Sequence, residues 1–167
     1  KRDASGSILQ ITRGFSNEGT WKFSGLDLSV VFNHKYDALG SFRHELAVSQ
    51  MLKREEAGQD TNGILGNPKS RATLNSRWIY GPMEFAWNVN HIGKNSDARG
   101  AVGGYVTHDV QTAWNASGPL KGAKLVLGAV NVGEKFPALV DFGGKPFNYD
   151  LYDMYGRQLY VRVEAKF

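Results

Sequence analysis

Four histidines are the side chains best placed for acid–base chemistry near neutral pH: His34, His44, His91 and His108. Only His108 has an adjacent acid, Asp109. On a strand these neighbours point to opposite faces, so they do not act together. No two histidines stand at a metal-ligand spacing such as His-x3-His. The chain has no cysteine, which removes a disulfide framework, a thiolate metal site and a cysteine nucleophile. Neither Gly-x-Ser-x-Gly nor a phosphate-loop pattern is present, and the pairs Gly103-Gly104 and Gly143-Gly144 read as flexible loop positions. The sequon Asn115-Ala116-Ser117 falls in a short turn and reads as chance. The expectation is a protein that is not an enzyme and needs no cofactor and no metal.

Two other sets of side chains suit recognition. The stretch 131–157, between the last two apolar-polar alternating segments, holds Phe136, Phe142, Phe147, Tyr149, Tyr152 and Tyr155, with Pro137 and Pro146. Loops this long in a compact fold are usually functional or disordered. Phe142, Phe147, Tyr149 and Tyr152 are candidates to stack on an aromatic chelate or a sugar. The plainer alternative is that they pack the loop itself. Arg43, Glu45, Arg77, Asp109, Arg162 and Glu164 form a set of polar-face charges. Arg43 and Arg77 are candidates to line a ligand path, against the alternative of ion pairs within a wall.

The elements that carry these residues alternate apolar and polar with period two. The last ten residues are clearest: Leu159, Val161, Val163, Ala165 and Phe167 on one face, Gln158, Tyr160, Arg162, Glu164 and Lys166 on the other. The same rhythm covers 25–32, 42–49, 73–80, 83–90, 106–114 and 124–129, with a less regular stretch at 8–15. That predicts about eight strands of about 10 residues. Short connections at 36–40, 81–82 and 116–122 alternate with long ones at 53–71, 93–104 and 131–157, after a short first loop at 16–20. In an up-and-down meander, one rim then carries tight turns and the other long loops.

The chain is 167 residues with net charge +4, and its 16 acidic residues are interspersed with 20 basic ones. There is no basic block of the kind a nucleic-acid arm carries, so no nucleic-acid partner is expected. Mean hydropathy is −0.38, and no run approaches the ~18 apolar residues of a spanning helix. A membrane β-barrel stays open, because its strands average out as polar. Alternation alone does not say which face is inside. Two features favour apolar side chains outward and polar ones inward. Large aromatics cluster near strand ends (Trp21, Trp78, Tyr80, Trp87, Trp114), as in interfacial girdles. The last strand also ends on Phe167 with an apolar dyad behind it.

The C-terminal 45 or so residues resemble the TonB-dependent outer-membrane receptors. NVGEKFP (131–137) is similar to that family's Asn-x-x-Asp/Glu-Lys-x-Pro element after the penultimate strand. YDMYGR (152–157) resembles its Tyr-Asp-x-x-Gly-Arg element, and QLYVRVEAKF (158–167) its closing strand. Gly128 and Asn131 stand where the family carries a Gly and an Asn. The resemblance implies an all-β fold: a transmembrane antiparallel up-and-down β-barrel, 22-stranded with a plugged lumen. This chain has about eight strands, no plug and no TonB box, so residues 1–167 are expected to be the C-terminal segment of such a barrel, beginning at a cut. The resemblance further implies placement in the outer membrane of a Gram-negative cell and uptake of a scarce small-molecule nutrient such as a ferric siderophore. Partners would be outer-membrane lipid, the barrel-assembly machinery and TonB through the missing plug domain. Phe167, with Val161 and Val163, would be the assembly signal, read by strand addition at an open edge.

Two other readings stay open. A complete eight-stranded outer-membrane barrel (structural protein, adhesin or narrow pore) requires 8–15 to pair with 158–167, because an open edge in lipid leaves backbone groups unsatisfied. A soluble lipocalin-like carrier requires the apolar faces to be inside.

Overall fold

Period-two alternation becomes antiparallel strands throughout. The structure is a computed structural model and describes residues 1–11, 13–14, 19–64, 66–97, 100–139 and 143–165. In chain order the strands are β1 (Trp21–Tyr36), β2 (Gly40–Glu56), β3 (Gln59–Asp60), β4 (Ser70–Tyr80) and β5 (Met83–Ile92). They continue as β6 (Asn95–Asp97), β7 (Gly100–Val102), β8 (Tyr105–Asn115), β9 (Ala123–Val130) and β10 (Gln158–Ala165). A 3-10 turn, Gly118–Leu120, lies between β8 and β9. The main sheet runs β1-β2-β4-β5-β8-β9-β10, with β3 paired to β2 off that path, and β6-β7 forms a small separate hairpin. Every neighbouring pair is antiparallel.

The connections divide as the sequence predicts. Tight turns join β1 to β2, β4 to β5 and β8 to β9 at one rim, and residues 57–69, 93–104 and 131–157 lie at the other. At the first turn Gly40 has φ +82°, and a side chain there would run into the carbonyl oxygen of Ile79. Only glycine fits both demands.

Register puts the apolar positions of all the long strands on one side, because directly paired residues share a face. Val30 pairs with Leu46, Leu46 with Leu74, Leu74 with Val89. Further along, Trp87 pairs with Val110, Val110 with Ala129, and Leu127 with Val161. The opposite side carries Asp27, Arg43, Glu45, Arg77, Glu84, Asp109, Arg162 and Glu164, each one residue away along its strand from that apolar set.

Two expectations need correction. Residues 8–15 do not add a strand to the sheet: among those described, Ile8 makes only an isolated bridge with Arg2. The cause is local. Asp3 Oδ1 accepts hydrogen bonds from Ser5 N and Oγ and from Ser7 N, and Leu9 N donates to Lys1 O, so the segment folds on itself. Thr12 and Phe15 lie outside the described residues, as does most of the short first loop. No ladder joins β1 to β10 among the described residues, and the sheet is open at both edges. β1 and β2 are also longer than expected, at 16 and 17 residues. They continue past a bulge at Ser24/Gly25 that the alternation does not reveal.

Candidate functional site

The apolar side is the molecule's most unusual surface. Leu26, Leu28, Phe85, Trp87, Val161 and Val163 are between 38% and 71% exposed. Covering a side chain of this size is worth about 1.5–3 kcal/mol. For these half-exposed six alone the total is on the order of 5–10 kcal/mol, the scale of a domain's whole net stability. An apolar face of this extent marks an interaction surface. On β8 the inversion is plain: Val106, Val110 and Trp114 are exposed while Thr107, Asp109 and Gln111 are half-buried.

Aromatic rings line the turn-rim end of this face. His34 stacks on Phe42, Phe42 on Trp78 and Trp78 on Phe85, with centroids 4.9, 5.7 and 5.1 Å apart. Trp78 Nε1 donates to Leu39 O at 2.6 Å, tying the row to the first turn. Tyr80 and Trp114 stand on the same side near that rim. Trp21 does not join this row. It lies at the loop rim on the polar side by alternation, under the Arg54 guanidinium at 5.8 Å. All four histidines are on the apolar side; His34 stacks on Phe42 and His108 on Trp87. His44 Nδ1 is 3.0 Å from Ser76 Oγ, and Trp87 Nε1 donates to His108 Nδ1 at 3.3 Å. Among the described residues no group of three or more His, Cys, Asp or Glu side chains could hold a metal ion.

The polar side is a network of charges paired across strands. Arg77 and Glu84 form an ion pair, and Glu84 Oε1 also accepts from Asn115 Nδ2 at 2.9 Å and Lys124 Nζ at 3.1 Å. Four successive strands of the sheet therefore meet at one carboxylate. Arg43 faces Arg77 across the ladder, and its charge is met by Glu45. Tyr160 lies over Gly128 and donates from its hydroxyl to Gln111 Oε1 at 2.8 Å.

At the loop rim the two motif segments pack on each other. Asn131 is buried with φ +50°. Its Oδ1 accepts from Lys135 N at 2.9 Å, and its Nδ2 donates to Lys135 O at 2.9 Å and Tyr155 O at 3.3 Å. Its backbone N donates to Asp109 Oδ1 at 2.8 Å, fastening the loop to the polar side of β8. Arg157 reaches Val132 O and Glu134, and the Phe136 ring lies against Gly156. Below them Tyr105, Phe147 and Tyr152 form a small buried cluster, with Tyr152 OH accepting from Asn95 Nδ2 at 2.8 Å. Tyr105 OH donates to Lys135 O at 3.1 Å. Ser96 N donates to Gly63 O, so all three long loops are linked. A cavity of about 240 Å³ on the polar side beneath the last loop is lined by residues including Asn90, Thr107, Asp109 and Gln158.

The candidate ligand residues fall in separate places. Phe147 and Tyr152 are interior to the loop cluster, Tyr149 is exposed and stacks edge-on to Phe147, and Phe142 lies outside the described residues. Arg43 and Arg77 sit near the opposite, turn rim. Of the assembly-signal residues, Val161 and Val163 are exposed on the apolar side of β10 and Phe167 lies outside the described residues. Sequence reasoning missed the partners of the buried cluster, Asn95 and Tyr105, because each comes from a different loop or strand end and has no spacing signal. No family model, curated protein or solved structure matches the chain.

Proposed function

We propose that this chain forms part of the wall and loops of an outer-membrane β-barrel of the TonB-dependent receptor kind, which takes up a scarce small-molecule nutrient such as a ferric siderophore. The observation that carries the reading is the continuous exposed apolar face, backed by a polar face of paired charges. Such a pair of faces suits lipid on one side and a wet lumen on the other. On β1 the apolar stripe runs from Leu26 to Tyr36. Ten steps of about 3.4 Å, tilted by about 45°, span about 24 Å, close to the ~25 Å apolar band of outer-membrane barrels. The aromatic row at the turn rim matches an interfacial girdle. The contact between 131–137 and 152–157 adds weight, because the two segments that resemble the family act as one structural unit. The exposed belt weighs against a soluble carrier, whose apolar residues would be inside. The absence of a β1–β10 ladder among the described residues weighs against a complete eight-stranded barrel.

In this reading the chain does no covalent chemistry. It supplies wall, extracellular loops and assembly signal, and energy reaches the receptor through TonB acting on a plug domain. The test is to delete the gene in its own host and follow growth with single nutrients made scarce, alongside fractionation of the intact protein. Recovery in the outer membrane, with a growth defect that also appears when TonB is removed, supports the proposal. Recovery in a soluble fraction overturns it.

A further inference from the structure

A cavity of about 240 Å³ remains where the last loop crosses the polar side of the sheet. The sheet supplies Asn90 from β5, Thr107 and Asp109 from β8 and Gln158 from β10. The loop supplies Asp153 and Tyr155. The enclosure is held by its own hydrogen bonds. Asn131 N donates to Asp109 Oδ1 at 2.8 Å, Asn131 Nδ2 to Tyr155 O at 3.3 Å, and Tyr155 N to Asp153 Oδ1 at 2.9 Å. A site fixed in this way has less ordering left to do when a ligand arrives.

The groups left unspent point to the ligand's chemistry. The side chains of Thr107 and Gln158 make no hydrogen bond to another described residue. A hydroxyl and a whole amide are therefore open, each able to donate and to accept. Tyr105 and Tyr155 add aromatic surface to the lining, suited to the apolar face of a ring. The volume takes about eight waters, or one sugar ring. Charge narrows the choice. Among the described residues no lysine or arginine lines the cavity, so an anion meets Asp109 and Asp153 without a cation beside them. A cation fares little better. Asp109 already accepts from Asn131 N and, at 3.5 Å, from Asn90 Nδ2, and Asp153 accepts from Tyr155 N. Arg71 also stands in the same row of the sheet, beyond Ile92. Uncharged hydroxyls meet neither obstacle and match groups that both donate and accept.

We propose that this cavity binds an uncharged, polyhydroxylated ring of monosaccharide size. The inference deepens the uptake reading, on which it rests for the ligand's role as cargo, and it names a neutral sugar unit rather than an anionic chelate.

The test uses the intact protein in lipid vesicles and saturation-transfer NMR. The probes are glucose, galactose and mannose, each with its 2-amino and uronic-acid forms, which keep the ring and add one charge. At least one uncharged hexose is expected to bind, with its amino form weaker and its uronic acid weakest. Thr107→Val and Gln158→Met are each expected to weaken that hexose about five-fold, the worth of one hydrogen bond, with the urea midpoint unchanged. Silence from all three hexoses, a charged form that binds as well as its parent, or an affinity indifferent to both substitutions overturns the proposal. Failure of every probe in protein that fractionates with the outer membrane overturns the site alone. Hexose binding by protein recovered in a soluble fraction supports the site and overturns its part in uptake.

Discussion

At the scale of single residues, Asn131 does two jobs that few side chains combine. Its backbone adopts φ +50°, which asparagine tolerates better than most residues, and its amide bonds three backbone groups of the last loop. Asn131→Ala is expected to cost about 2–3 kcal/mol, from lost hydrogen bonds at about 0.5–1.5 kcal/mol each and an unfavourable backbone. The check is hydrogen exchange, with faster exchange in 131–157 and unchanged protection in β4 and β5. Gly128 is the second such residue. A Cβ there collides with the Tyr160 ring, so Gly128→Ala is expected to destabilise by about 1–3 kcal/mol, as overpacking does. Adding Tyr160→Ala is expected to remove most of that penalty, giving strong non-additivity in a double-mutant cycle of urea unfolding in lipid vesicles. The sequence marked both positions through the family resemblance. It did not show why they matter, because the reasons lie in Tyr155, Lys135, Tyr160 and Gln111, which only the fold brings near.

At the scale of elements, alternation located all the long strands of the sheet, since one apolar face and one polar face leave a period-two trace. It failed at 8–15 and at the bulge for related reasons. In the first case Ile8 and Leu9 are adjacent, and the Asp3 turn supplies the backbone with local partners instead of a ladder. In the second, one added residue reverses the parity of everything after it. The long strands are joined on the polar side by Glu84, which stands on β5 and reaches partners on β4, β8 and β9. Glu84→Ala strands two cations and one amide, and is expected to cost about 1–3 kcal/mol. Because part of that cost is electrostatic, it is expected to shrink in high salt. Urea midpoints measured at low and high ionic strength check this, and a substitution without effect at either would remove Glu84 as a fastening point of the sheet.

At the scale of the whole molecule, a single question governs the rest: what covers the apolar side. Its extent was legible in the sequence, but its direction was not, since a soluble barrel and a membrane barrel give the same alternation. Under the proposed function, exposure of that side, the aromatic row at the turn rim and the loop folded onto the polar side support an outward apolar face. The most direct measurement places a nitroxide spin label, through single cysteines, at each position from Leu26 to Asn33 of the intact protein in lipid vesicles. Its accessibility to oxygen, which concentrates in lipid, is compared with that to a water-soluble nickel chelate. The account predicts a period-two pattern: labels at Leu26, Leu28, Val30 and Phe32 meet oxygen and not nickel, and labels at Asp27, Ser29 and Asn33 do the reverse. Labels at Leu26, Leu28, Val30 and Phe32 that are shielded from both reagents, or reached by nickel, would mean that protein or water covers this face and would contradict the account.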